Sequence, residues 1–192
     1  GFILRYPKAF PLRRLDAYLE QWEPWMREML VEKPPHDYDH GDSFLLFGKK
    51  VEFERKVAKN IFCQLKEKLY LYCPENTSLE KRQKAIENTF RLLLQERVEK
   101  ILPDVEKATG LSFKEVKIRK MKNWARCQVK AETLSLSLKS IALDDQLFHV
   151  LLLHELLHLR IPNHSREFYE MMEIYLPGAR KLNQRIRVHT GY

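Results

Sequence analysis

Cysteine is scarce in this chain: Cys63, Cys73 and Cys127 are the only three among 192 residues. An odd and dispersed set offers no disulfide framework, so reduced thiols in a cytoplasmic protein are expected. Long apolar runs are missing too. The run Val150–Leu153 is cut by His154 and Glu155, and no run approaches the roughly eighteen residues a membrane helix needs. No basic segment leads into an apolar one, so no secretory signal is expected. Internal repeats and low-complexity tracts are absent as well. What remains is a chain of ordinary hydrophobic content, 44%, long enough for one domain with a sizeable core.

Charge of one sign dominates without being segregated. Lys and Arg number 34 and the net charge is +8, which favours acidic partners such as nucleic acid. The basic residues are interleaved with glutamates, as in QERVEK at Gln95–Lys100. That pattern reads as a solvated surface, and no nucleic-acid-binding motif accompanies it.

Periodicity sets out the elements. Leu12, Leu15, Tyr18, Leu19 and Trp22 have helical spacing, and residues 32–42, dense in Pro, Asp and Gly, read as a loop. SFLLFGKKVEFER and IFCQLKEKLYLY read as two β-hairpins. TSLE at Thr77–Glu80 fits a capping box with Thr77 as the cap. The helix behind it carries Ile86, Phe90, Leu93, Leu94, Val98 and Ile101 on one face, is interrupted or restarted at Pro103 and ends at Gly110. KEVKIRKM, WARCQV and TLSLSLKSI are three strands with short connections, which predict an antiparallel meander. Asp144 or Asp145 then supplies a cap for the next helix.

That helix holds LLLHELLHLRIPNHSREFYE, three histidines and a glutamate among leucines. His154 and His158 are four residues apart, so both imidazoles project from one helix face and can converge on one ion. Glu155, about 100° round the helix, falls beside the ion rather than on it, the place of a general base acting on metal-bound water. Two protein ligands are fewer than the three of a typical catalytic zinc site. Pro162 stops the helix, and after the turn His164 can approach from a third direction. Glu170 and Glu173, on the following helix, compete for that third place. Asn163 or Ser165 can cap this following helix.

The segment HELLHLRIPNHSREFYEMMEIYLP resembles the signature of YgjP-like metallopeptidases, small relatives of the gluzincin and SprT-type zinc proteases. His154, Glu155, His158, His164, Ser165, Phe168 and Tyr169 match its pattern. IRKMKNWARC, with Trp124 and Cys127, is similar to a family strand, and LEQWEPWM and YDHGDSFLLFG are similar to its N-terminal helix and Tyr-x-x-Gly-Asp loop. Asn123, Trp124, Ala125, Arg126 and Cys127 depart from the usual Arg-Trp-Gly-Ser-Cys. The resemblance implies His164 as third ligand and zinc (Zn2+) as the metal. Imidazole donors suit zinc independently of it.

Other groups carry weaker signals. His36 and His40 stand in an Asp-rich loop whose prolines and glycine deny them helical spacing, so a polar loop is expected. His149 falls off the metal face, and His189 sits in a basic tail. Arg126 and Tyr169 are candidate substrate or transition-state contacts.

The expectation is therefore an α+β fold: one zincin-like domain over 1–192, with a helix-and-hairpin subregion at 1–76 and a core at 77–192. A small antiparallel sheet packs on helices, with the metal helix beneath it. The expected activity is zinc-dependent hydrolysis of peptide bonds in a peptide or protein substrate, with Glu155 as base. In related zincins a substrate strand adds to a sheet edge, and TLSLSL is the expected edge. The alternatives are a basic nucleic-acid-associated protein with structural zinc, or an SprT-like protease acting on DNA-bound proteins. No membrane contact is expected.

Overall fold

The computed structural model describes residues 43–188, with side chains to residue 186. All belong to one compact unit. The expected N-terminal helix, the loop with His36 and His40, and His189 lie outside the described residues.

The two expected hairpins form. Strand β1 (Ser43–Leu46) pairs antiparallel with β2 (Lys49–Val57), and β3 (Phe62–Leu65) pairs antiparallel with β4 (Leu69–Cys73). Parallel pairing of β2 with β4 joins them into one sheet of order β1-β2-β4-β3. Alternation puts Phe44, Leu46, Phe53, Leu69, Leu71 and Cys73 on one buried face. Helix α1 (Leu79–Thr109) closes that face with Ile86 and Phe90.

Two features of α1 differ from expectation. Its N-cap is Ser78, without a side-chain capping bond. The Thr77 hydroxyl instead donates to the Pro74 carbonyl at 2.7 Å, closing the preceding turn. Pro103 neither interrupts nor restarts the helix, which runs through it. Both Pro103 and Glu99, one turn before it, are exposed, so water can serve the carbonyl that a proline leaves without a donor. Gly110, at φ 69, ends the helix as expected, its N–H bonded to the Glu106 carbonyl.

The second sheet holds β5 (Glu115–Arg119), β6 (Ala125–Gln128) and β7 (Thr133–Ser137) in the order β5-β7-β6. It is not the expected antiparallel meander: β7 pairs parallel with β5 and antiparallel with β6. TLSLSL is therefore the central strand, not the edge. The reason lies in burial. β7 is buried along nearly its whole length, so its backbone groups need partners on both sides, whereas the exposed Arg119, Arg126 and Gln128 suit edge strands. β6 and β5 are the edges.

Helix α2 (Asp145–Leu157) is apolar on nearly every side and buried accordingly, packed against α1, β6, α3 (Arg166–Tyr175) and α4 (Ala179–Val188). Its start is pinned from two directions. The Arg97 guanidinium, buried in α1, donates to the Leu143 carbonyl and to Asp145, each at 2.8 Å, and lies over the Phe148 ring. The β1–β2 turn, with Phe47 and Gly48 both at positive φ, donates its two N–H groups to the Ile141 and Ala142 carbonyls. Among the described residues no helix is long and apolar enough to cross a membrane.

Candidate metal centre

The site is built where α2 stops. Asp144 caps the helix start, its carboxylate accepting from the Leu147 N–H at 2.8 Å. At the far end the Leu159 and Arg160 N–H groups bond three residues back, tightening the last turn. Pro162 then turns the chain away. Ser165 caps α3, its hydroxyl accepting from the Phe168 N–H at 3.3 Å. His164 is thereby held immediately before α3, facing the last turn of α2.

The three expected histidines lie together. The Nε2 atom of His154 is 3.2 Å from that of His158 and 2.9 Å from that of His164. One ligand atom from each falls within 4.8 Å of the others. Three nitrogens bound tetrahedrally to one zinc would be about 3.4 Å apart, given Zn–N bonds of about 2.0–2.1 Å. The donor chemistry fits as well. Nδ1 of His158 faces the Ile161 carbonyl at 3.1 Å; a carbonyl only accepts, so Nδ1 carries the proton and Nε2 presents a lone pair. Burial lowers the His158 pKa, opposed by that bond, and keeps the ring neutral as a ligand must be. Lone pairs converging this closely repel one another unless a cation lies among them.

Beneath the cluster is Phe168, fully buried. Its ring centroid lies 4.9 Å from His154, 4.8 Å from His158 and 5.1 Å from His164. Residue-level reasoning missed this role, although the signal existed. Phe168 is three residues after the Ser165 cap, which turns it back toward the loop bearing His164. Tyr169 borders the same cluster, its ring stacked 6.3 Å from His164.

Glu155 is 7% exposed. Burial pushes its pKa up to about 7, with the Cys127 backbone N–H bonding the carboxylate and opposing the rise. The base candidate thus lies against the edge strand β6. The Cys127 thiol is itself pushed up to about 11, by burial first and then by the Glu155 charge, so it is not an activated thiolate.

Other candidates lie elsewhere. Ala125 is buried and Cys127 faces Glu155, so alternation turns the exposed Arg126 to the opposite face of β6. Glu170 is engaged by Arg166 at 2.6 Å. The two oxygens of Glu173 accept from the Gly178 and Arg180 N–H groups at 2.7 and 2.8 Å. Neither joins the histidine cluster. His149 lines a separate cavity between α1 and α2 with Arg97 and Asp104.

The family model described as YgjP-like, metallopeptidase domain, matches residues 1–189. The chain belongs to the YgjP-like metallopeptidases. Among solved structures it is similar to the metallopeptidase zymogen abylysin of Pyrococcus abyssi, at 29% identity over 48% of this chain and 94% of that one, with a TM-score of 0.44. No curated protein matches it. A YgjP-like metallopeptidase requires a metal, and among the described residues His154, His158 and His164 form the group that could hold one.

Proposed function

We propose that this YgjP-like protein is a zinc-dependent peptidase that hydrolyses peptide bonds in peptide or protein substrates, with Glu155 as general base. The observation that carries the reading is the convergence of three histidine Nε2 atoms on a plate of Phe168, with a buried carboxylate one residue from the first histidine. His154, His158 and His164 would hold the ion, and neutral imidazoles suit zinc. Zinc, when bound there, supplies a Lewis acid that activates water and polarises the scissile carbonyl. Glu155 takes the proton of the attacking water and returns it to the leaving amine. Burial raises the Glu155 pKa in the metal-free protein, which favours a carboxylate that takes up a proton and passes it on. The Cys127 N–H faces the carboxylate and favours its charged form. Among the described residues β6 has no strand on its outer side, and that edge, against which Glu155 lies, is suited to receive a substrate backbone as an added strand. Tyr169 is a candidate donor to the developing oxyanion. Arg126, on the outer face of β6, would touch substrate flanks rather than the reacting carbonyl.

A nucleic-acid-associated role with structural zinc, or action on DNA-bound proteins, gains no specific observation. A structural site has no use for a buried carboxylate beside its ligands. The deciding experiment measures metal content and cleavage of a proteome-derived peptide library by wild type and Glu155→Gln. Both should carry zinc, and cleavage should fall by about two to four powers of ten in the variant. Equal turnover by the zinc-loaded variant removes Glu155 from the mechanism. No cleavage by zinc-loaded wild type across the library sinks the peptidase reading.

A further inference from the structure

Helices α3 and α4 border a cavity of about 760 Å³ that shares Tyr169 with the histidine cluster. Its other lining residues are Arg166, Glu170, Glu173, Ile174 and Arg180. The charges in it are unequally committed. Arg166 and Glu170 are paired with each other, one helical turn apart. Both oxygens of Glu173 accept backbone N–H groups at the start of α4, and these bonds hold its pKa below the usual carboxylate range. Its negative charge is therefore directed mainly into the helix N-terminus, with the Arg180 charge a smaller contributor. The same bonds fix where Arg180 begins. Its guanidinium lies over the Tyr169 ring, 5.3 Å from the centroid, and no carboxylate among the described residues forms an ion pair with it. The cavity thus has an apolar wall from Tyr169 and Ile174 and one planar cation with donors to spare. A guanidinium of that kind matches a carboxylate in two-point geometry.

We infer that this cavity is a substrate subsite beside the scissile bond and takes a peptide carboxylate, from an acidic side chain or a free C-terminus, on Arg180. The inference rests on the peptidase reading above and adds a substrate class to it. Arg180 is exposed, so the preference is moderate. A partly solvated, charge-assisted contact supports about a twofold to fivefold difference in affinity.

The test uses full-length, zinc-loaded Glu155→Gln protein, so that binding is read without turnover. Fluorescein-labelled octapeptides carry Glu, Gln, Lys or Ala at each position in turn, with a free or an amidated C-terminus. Peptides with a carboxylate at one position, or at the C-terminus, should bind about two to five times more tightly than their amide counterparts, and the difference should shrink as salt is raised. Adding Arg180→Gln should abolish the preference, and Arg180→Glu should turn it toward Lys. The Glu and C-terminal arms tell the two carboxylate sources apart. Equal binding of acid and amide peptides, a preference that survives Arg180→Gln, or no binding of any peptide overturns the inference. If Glu155-containing protein binds by this rule yet cleaves nothing, the peptidase reading falls, and what stands is a peptide-carboxylate site on Arg180 without a scissile bond beside it.

Discussion

Nδ1 of His158 donates a hydrogen bond to the carbonyl oxygen of Ile161, three residues on in the turn that ends α2. The backbone that stops the helix also sets the tautomer of a candidate ligand. Ile161 is buried, and its own N–H bonds back to Leu157 at 2.8 Å, so the carbonyl is held in place before any ion arrives. Such outer contacts orient a ligand ring and raise its basicity. The expected outcome is that long-range nitrogen–proton NMR finds His158 protonated at Nδ1 in metal-free protein, and that zinc shifts the Nε2 resonance. An Nε2-protonated His158 in metal-free protein would contradict the geometry.

The ligand set is tested by zinc stoichiometry after dialysis. His154→Ala, His158→Ala and His164→Ala should each lower zinc content, because each removes one converging nitrogen. Glu170→Ala and Glu173→Ala should leave it unchanged, since those carboxylates are engaged by Arg166 and by the α4 amides. Full zinc retention by the His164 variant together with loss in either Glu variant would reassign the third ligand.

Phe168 should matter to the metal without touching it. It contacts all three imidazoles from one side, and supporting groups of this kind alter metal affinity by about 10- to 100-fold. Phe168→Leu keeps an apolar side chain but loses the flat ring, so zinc affinity should drop by at least about tenfold. The d–d absorption of cobalt-substituted protein should change as well, because ligand orientation changes. An unaltered cobalt spectrum with lowered thermal stability would mean that Phe168 is only core packing.

How much of this was legible in the sequence depends on range. The segment from Asp144 to Tyr169 was readable because its rules are local: a cap, an i, i+4 pair, a breaker and a second cap. Of the alternatives left open there, Asp144 and Ser165 are the residues that cap. Strand order was not readable, because nothing near TLSLSL reveals that β5 and β6 flank it; that order follows from which strands have a face able to stay wet. Pro103 misled because its helix stays intact where solvent can serve the freed carbonyl. The outward direction of Arg126 was partly encoded, since Ala125 and Cys127 alternate with Arg126 and Gln128. The inward partner became definite only once α2 was packed under β6. The approach of the Cys127 N–H to the Glu155 carboxylate joins residues 28 positions apart, and no local pattern announces it.

Glu155 makes metal-free stability depend on pH. Its folded pKa, about 7, stands above the ordinary carboxyl value of 4.5. A carboxyl shifted upward contributes stability that is fully present below about 4.5 and lost as pH rises through 7. By pH 8 the buried charge costs on the order of 3 kcal/mol relative to a neutral group. His149 and His158, both lowered chiefly by burial, act oppositely, removing stability as pH falls below their ordinary value. They are common to wild type and Glu155→Gln and cancel in the comparison. Chelator-treated Glu155→Gln should therefore gain on wild type in denaturant midpoint between pH 5 and pH 8. Zinc should narrow the gap, because a nearby cation favours the carboxylate charge. A gap independent of pH would place the Glu155 pKa near that of a solvated carboxyl.

Gly48 should be the least replaceable glycine among the described residues. It sits at φ 78 in the β1–β2 turn, and a Cβ there would lie 2.7 Å from Asp144 Cβ and 3.2 Å from its Cα. Two penalties coincide: a left-handed backbone that costs a side-chain residue about 1–2 kcal/mol, and an overlap with the residue that caps α2. Gly110 has a similar φ of 69, but a Cβ added to it would meet nothing within 4 Å, so Gly110→Ala meets only the first penalty. Gly48→Ala must also move the turn away from Asp144, straining the bonds from Phe47 and Gly48 to the Ile141 and Ala142 carbonyls. Its melting temperature should fall by about twice as much as that of Gly110→Ala, or roughly 5–10 °C at about 2–4 °C per kcal/mol for a domain of this size. Equal losses in the two variants would show that the turn does not bear on the start of α2 as closely as the geometry requires.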